Sequence, residues 1–155
     1  MKTYLDKNVY EAALERIAYC FQEFDNVLVA FSGGKDSGVL LNLCYNYADE
    51  HGLLDKLTMY HLDYEAQYQM TTEYVTRTFL EQFPGIRKMW YCVPIKAQSA
   101  CALGEPYWTP WDSAKKKLWV RAMPENPYVA PAGRLDVPVR HGTVLYQMQD
   151  KLPRP

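Results

Sequence analysis

The chain has 155 residues, of which 48% are hydrophobic and 23% charged, and its formal net charge is -1. This length is enough for one hydrophobic core, and the balanced charge excludes an overall field that would attract nucleic acid or an acidic membrane. There is no run of about 18 uncharged apolar residues and no basic segment with an apolar one after Met1, so we expect neither a membrane span nor a secretion signal. The expected compartment is the cytoplasm.

The first predicted element is an amphipathic helix. From Tyr10 to Phe24, apolar residues recur at intervals of three and four, with charged residues between them. Residues 27–31 then form a continuous apolar run, which is typical of a strand covered on both faces in a parallel sheet. A second helix follows immediately after the glycines at 33 and 34, with its apolar positions running from Val39 to Tyr47, and it is expected to end around His51 and Gly52.

Two strands and a third helix are predicted further along. Residues 57–62 and 89–95 are apolar enough to be strands. Between them a helix is expected to begin with Thr71 or Thr72 as its cap and to end at Pro84.

The alternation of strands and helices indicates an α/β fold, a doubly wound parallel sheet with helices on both faces. Ligands of such sheets bind beyond the carboxyl ends of the strands. These ends are predicted at Phe31, Leu62 and Pro94.

The chain changes character after Ile95. Residues 96–129 are rich in aromatic, proline and basic residues, and we expect an irregular cap with a short helix beginning near Asp112. Residues 130–155 are rich in proline, which predicts a weakly ordered extension with an edge strand at 143–148. The main domain is therefore predicted to span residues 1–129.

The junction between the first strand and the second helix is suited to binding phosphate. Glycines let an anion approach the backbone, and the first N–H groups of a helix have no partner within it. A lysine adds positive charge, whereas Asp36 is expected either to contact magnesium or to anchor the loop's own amides. The alternative is an ordinary tight turn before a helix. The junction residues are Ser32, Gly33, Gly34, Lys35, Asp36 and Ser37.

The stretch "FSGGKDS" resembles the PP-loop, Ser-Gly-Gly-x-Asp-Ser, of the ATP pyrophosphatase and phosphoadenosine phosphosulfate (PAPS) reductase superfamily. The resemblance implies a fold like that of the adenine nucleotide alpha hydrolases. It also implies binding of ATP or a related adenine nucleotide with Mg²⁺, and cleavage between the α- and β-phosphates to adenylate an acceptor. Catalytic roles are implied for Lys35, Asp36 and Asp63, and a metal contact for Asp36. Ligand contacts are implied for Phe31, Ser32, Gly33, Gly34, Lys35, Asp36, Ser37, Leu62 and Asp63.

A second stretch, "YHLDYEAQYQMTTEYV", resembles the strand end and helix start of the PAPS-reductase-like branch. Asp63 and Tyr68 carry the match, whereas Tyr64 and Glu65 stand where many relatives have Thr and Gly. Asp63 is positioned to accept a ribose hydroxyl, hold a metal or orient a substrate, and the alternative is a solvated turn residue. We expect Glu65 to be exposed to solvent.

In the cap, three lysines and an arginine lie among tryptophans. Cations and rings together can bind phosphate or sulfate and stack on a base, or the lysines can be a solvated helix face while the tryptophans pack. These residues are Lys115, Lys116, Lys117, Arg121, Trp108, Trp111 and Trp119.

From about residue 4 to residue 129 the chain is similar to a bacterial and phage group that includes the immunoglobulin-binding regulator A proteins. That resemblance implies a ParB-like protein partner or nucleic acid. It also favours a second function, a nucleotide-sensing regulator without turnover. Members of the group are longer, so the chain is expected to be a truncated or frame-shifted copy. No oligomeric state is predicted.

Four scattered cysteines, with no Cys-x-x-Cys pair, are expected to be idle free thiols. PAPS reductases carry a nucleophilic cysteine in a Glu-Cys-Gly-Leu-His motif, which this sequence lacks. Sulfonucleotide reduction is therefore not expected, because a thiolate must attack the sulfur. The cysteines are Cys20, Cys44, Cys92 and Cys101.

Overall fold

The computed structural model describes residues 6–98, 104 and 106–130. The main helices are α1 (Val9–Glu23), α2 (Lys35–Glu50) and α3 (Gln69–Glu81), with short 3₁₀ helices at Leu54–Lys56 and Ser113–Leu118. The strands are β1 (Val27–Ala30), β2 (Leu57–Leu62), β3 (Arg87–Tyr91), β4 (Ala97–Gln98), β5 (Tyr107–Trp108) and β6 (Val129–Ala130). The predicted strand at 143–148 and the order of the extension at 130–155 lie outside the described residues, except for residue 130.

A side-chain cap begins α1, whereas α2 and α3 begin without one. Asn8 caps α1: its Oδ1 accepts from the Glu11 N–H at 2.9 Å, and the Glu11 carboxylate accepts from the Asn8 N–H at 3.0 Å. The predicted threonine cap of α3 is wrong, because this helix begins at Gln69. The Thr72 hydroxyl instead donates to a carbonyl one turn back, at Tyr68.

Four parallel strands form the main sheet, in the order β1-β2-β3-β6, while β4 and β5 form an antiparallel hairpin. β2 has the predicted bounds, but β3 begins two residues before its predicted start and ends four residues before its predicted end. Its start was missed because Lys88 looks polar, whereas its ammonium group donates to the Phe79 and Gln82 carbonyls at the end of α3. Its end comes early because the chain turns at Pro94, where the Ile95 N–H donates to the Val93 carbonyl.

The core lies between the helices and one face of the sheet. The strand registers place Val29 next to Met59 and His61 next to Trp90, so these side chains share one face of the sheet. All residues that β1, β2 and β3 contribute to the buried cluster lie on this face. Leu28 is 51% exposed on the opposite face of β1, so the expectation that this strand is covered on both faces is wrong. The structure confirms an α/β architecture in which helices flank a small parallel sheet. The core side chains of the helices are Ile17, Phe21, Leu41, Cys44, Ala48, Val75 and Phe79.

The cap packs against the sheet through its tryptophans. Trp111 is 1% exposed, and its ring meets that of Trp119 edge-on at a centroid distance of 5.2 Å. The lysines at 115–117 lie exposed on the short 3₁₀ helix, whose first turn is capped by Asp112. The packing alternative is therefore confirmed for Trp111 and Trp119.

Among the described residues, no helix has the length and apolar character needed to cross a membrane.

Candidate functional site

The glycine-containing loop leaves the carboxyl end of β1 and leads into α2. The Phe31 N–H donates to the Tyr60 carbonyl at 2.7 Å, which extends the β1–β2 pairing up to the loop. Gly33 has φ +83°, and a Cβ added there would lie 2.7 Å from a side-chain methyl of Val75 in α3. Glycine is thus required at this position by both backbone conformation and close packing.

The two loop serines stabilise the loop itself. Ser37 Oγ donates to the Gly34 carbonyl at 2.9 Å, and the Ser32 and Ser37 hydroxyl oxygens are 2.9 Å apart. These oxygens also accept from the N–H groups of Ser32 and Gly34. Since each hydroxyl has a single proton, these contacts use both, and the serines hold the loop shape.

Other N–H groups of the loop have no acceptor. Among the described residues, those of Gly33, Lys35, Asp36 and Ser37 make no hydrogen bond, whereas the Gly38 N–H donates to the Gly34 carbonyl. The last three of these groups open α2, where the helix dipole leaves partial positive charge. The loop therefore retains donors for an anion.

A cleft of about 500 Å³ lies beside these donors, between α2 and α3. A Cβ added at Gly38 would lie 4.0 Å from the Tyr74 hydroxyl, an ordinary van der Waals contact, so α2 and α3 approach each other without crowding here. Lys35 is exposed at the cleft and pairs with no carboxylate in the described part of the chain. The cleft is lined by Gly33, Gly34, Lys35, Gly38, Val39, Asn42, Leu43 and Tyr74.

The Asp36 side chain is exposed in the first turn of α2 and makes no hydrogen bond to the described residues. It therefore does not anchor the loop's amides, which was one of its two predicted roles. The described residues contain no group of three or more His, Cys, Asp or Glu side chains that could hold a metal ion. Magnesium bound together with a nucleotide needs only one or two carboxylates, so Asp36 fits such a contact.

The end of β2 is closed to solvent. Asp63 is 1% exposed, and its carboxylate accepts from Trp90 Nε1 at 3.0 Å, from the Glu65 N–H at 2.8 Å and from Arg121 at 2.5 Å. The alternative of a solvated turn residue is wrong for Asp63. Phe31 is buried and Leu62 is half-buried beside it.

Glu65 is 4% exposed, so the expectation of an exposed side chain is wrong. Its carboxylate accepts from the N–H groups of Trp111 at 2.7 Å and Val120 at 2.8 Å, which ties the cap to the end of β2. Glu65 has φ +64°, a conformation that favours glycine. The glycine that the PAPS-reductase-like resemblance implies at this position was the available signal for such a turn.

Sequence reasoning also missed His61, which lies under the loop and is 1% exposed. Its Nδ1 is 2.7 Å from the Phe31 carbonyl, which can only accept, so Nδ1 carries the hydrogen. Burial lowers the pKa of His61 below its ordinary value of 6.5. A neutral imidazole therefore holds the backbone just before the loop, and its buried Nε2 makes no hydrogen bond to the part of the chain that the structure describes.

The described cysteines are free thiols, as predicted. Burial raises the pKa of Cys44 to about 11 and that of Cys92 to about 12. Neither is a thiolate at neutral pH, so neither can act as a nucleophile. Cys101 lies outside the described residues.

Comparison with known proteins gives one long similarity, and no protein family model matches the chain. Over 129 residues, 82% of this chain, the sequence is 33% identical to the uncharacterized protein YbdN of Escherichia coli strain K12. The aligned part spans 30% of YbdN, so the chain covers less than a third of the length of this curated relative. The similarity assigns no activity.

Proposed function

We propose that the chain binds ATP, or a related adenine nucleotide, at the loop between β1 and α2, and cleaves it between the α- and β-phosphates. An unidentified acceptor would receive the adenylyl group, in the cytoplasm. The observation that carries this proposal is a complete Ser-Gly-Gly-x-Asp-Ser loop whose N–H groups at Gly33 and residues 35–37 have no acceptor among the described residues.

The proposed reaction forms one bond and breaks one. An acceptor oxygen bonds to the α-phosphorus, while the bond from that phosphorus to the oxygen bridging the α- and β-phosphates breaks. The electron pair leaves with pyrophosphate, so negative charge grows on the departing group. The free amides and the Lys35 ammonium would stabilise this charge, and Mg²⁺ held by Asp36 and the phosphates would supply further positive charge.

Asp63 would act through other groups. Its carboxylate has no exposed surface and is paired with Arg121. We assign it the role of a positioning residue that fixes the end of β2 next to the nucleotide. The implied ligand contact of Leu62 is proposed to come from its backbone groups, and that of Phe31 from the carbonyl lone pair that His61 Nδ1 leaves free, since the Phe31 N–H already donates to Tyr60.

Product analysis tests the proposal. ATP labelled in the α-phosphate is incubated with the chain and Mg²⁺, and AMP is separated from ADP. With water taking the place of the acceptor in this assay, the proposal requires labelled AMP and pyrophosphate. Lys35→Ala should weaken ATP binding at least about tenfold, as expected for one charge-assisted contact, while Lys117→Ala, an exposed cap lysine, should not change it. Formation of ADP, or equal ATP affinity in both variants, would contradict the assignment.

A second candidate is a nucleotide-sensing regulator that binds ATP without cleaving it and acts with a ParB-like protein or nucleic acid. The burial of the Asp63 carboxylate favours this candidate. Of the two aspartates for which the resemblance implies catalytic roles, Asp36 alone would be exposed to a bound nucleotide. The same assay separates the two. Binding of ATP without formation of AMP supports the regulator, and the absence of ATP binding excludes both candidates.

The proposal also retains the finer fold expectation, a doubly wound sheet of the adenine nucleotide alpha hydrolase type. A second layer would have to cover Leu28 and Ala30, which are exposed on one face of β1.

A further inference from the structure

A second cleft of about 500 Å³ lies beyond the ends of β2 and β3. We call it the hairpin cleft, since β4 and β5 form one wall. Parallel neighbours are spaced about 4.8 Å apart, so the end of β3 lies roughly 10 Å from the end of β1, where the phosphate loop begins. The hairpin cleft is lined by Tyr64, Ile95, Lys96, Ala97, Gln98 and Trp108.

Tyr64 is held at this cleft by its neighbours. It is 40% exposed, although Asp63 on one side is 1% exposed and Glu65 on the other is 4% exposed. Both flanking carboxylates are fixed by hydrogen bonds, and Glu65 has a left-handed backbone. The exposed Tyr64 side chain therefore lies between two residues whose carboxylates are fixed below the surface.

Lys96 supplies a positive charge that no carboxylate of the described residues neutralises. Its ammonium group lies 4.1 Å from the centre of the Tyr107 ring, which positions it without cancelling its charge. The ion pairs among the described residues do not include Lys96. The cleft therefore combines the aromatic surfaces of Tyr64 and Trp108 with an available cation.

We propose that the hairpin cleft binds the acceptor of the adenylyl group, and that this acceptor is a planar aromatic compound bearing a carboxylate or phosphate. Its ring packs on Tyr64 and Trp108, and its anionic group pairs with Lys96. This inference rests on the proposed function, and it names the substrate class of the same site. The ring and the anion can come from a mononucleotide or from an aromatic acid.

Ligand-observed NMR titration of the full chain tests the inference. The probes are uridine monophosphate and 2-naphthoate, each added in the presence of Mg²⁺ and α,β-methylene-ATP, which occupies the phosphate loop and cannot be cleaved there. At least one probe should bind together with the nucleotide. Lys96→Gln and Tyr64→Leu should each weaken that probe about tenfold, the effect of one charged or aromatic contact. The matched controls Lys117→Gln and Tyr68→Leu change exposed residues outside the cleft and should leave it unchanged.

The outcomes are distinct. Binding of uridine monophosphate identifies a mononucleotide acceptor, and binding of 2-naphthoate identifies an aromatic acid. If neither probe binds at millimolar concentration while the nucleotide analogue does, the hairpin cleft assignment is overturned and the proposed function stands. The assignment is also overturned if the nucleotide analogue displaces the bound probe, or if the Lys96→Gln variant binds the probe as tightly as the unchanged chain does. If the analogue itself fails to bind, the proposed function fails as well.

Discussion

Replacing Arg121 by methionine should destabilise the chain strongly, because the guanidinium is the counter-charge of a buried carboxylate. The Asp63 side chain has no exposed surface and that of Arg121 is 22% exposed. Removing one partner of a buried pair costs about 3–5 kcal/mol, and we take about 3 because Trp90 and the Glu65 N–H still donate to Asp63. The lost hydrogen bond from Arg121 Nε to the Glu65 carbonyl adds about 1 kcal/mol.

The expected total of about 4 kcal/mol corresponds to a fall in Tm of roughly 10–15 °C for a chain of this size. Differential scanning calorimetry measures it, with Arg87→Met, an exposed arginine on β3, as the control. In the double variant Asp63→Asn with Arg121→Met, the buried charge is gone, so the loss should be smaller than the sum of the single losses. A Tm for Arg121→Met equal to that of the control would refute the reasoning.

Three further predictions follow from the core and the loop. Gly33→Ala should lose about 2–4 kcal/mol in urea unfolding, through a left-handed backbone and a clash with α3, whereas Gly34→Ala, at φ -84°, should lose far less; equal losses would contradict the packing argument. His61 is buried and neutral, so the unfolded chain binds its proton more readily and stability falls as the pH drops below 6.5. His61→Gln should flatten this part of the Tm profile, and an unchanged profile would argue against the buried neutral imidazole. Cys44 and Cys92 should react with a thiol reagent at neutral pH only after unfolding, and rapid labelling of the native chain at either residue would contradict their burial.

The order of strands and helices was predictable because apolar periodicity is a local property of the sequence. α1, α2 and β2 follow it closely. β3 was displaced because Lys88 contributes to the strand while its ammonium group covers the end of α3, a contact between elements that periodicity does not record. Coverage of the second sheet face depends on which segments meet in space, and an apolar run alone does not reveal it.

In the candidate site, too, local features were predictable from the sequence, whereas contacts between distant segments were not. The loop between β1 and α2 was predictable since its glycines and lysine are adjacent in the chain. The burial of Glu65 and the pairing of Asp63 with Arg121 were not predictable, because the partners lie 46 to 58 residues away in sequence. His61 was missed for a similar reason, since its contact is with a backbone carbonyl on the neighbouring strand.

The most direct test of the central claim is the amide spectrum of the ¹⁵N-labelled chain, recorded with and without α,β-methylene-ATP and Mg²⁺. If the free backbone groups hold the phosphates, the amide signals of Gly33, Lys35, Asp36 and Ser37 should shift on binding, and more than that of Ser32, whose N–H already donates to Ser37 Oγ. Saturable binding of the analogue with these four signals unmoved, or no binding at all, would contradict the account.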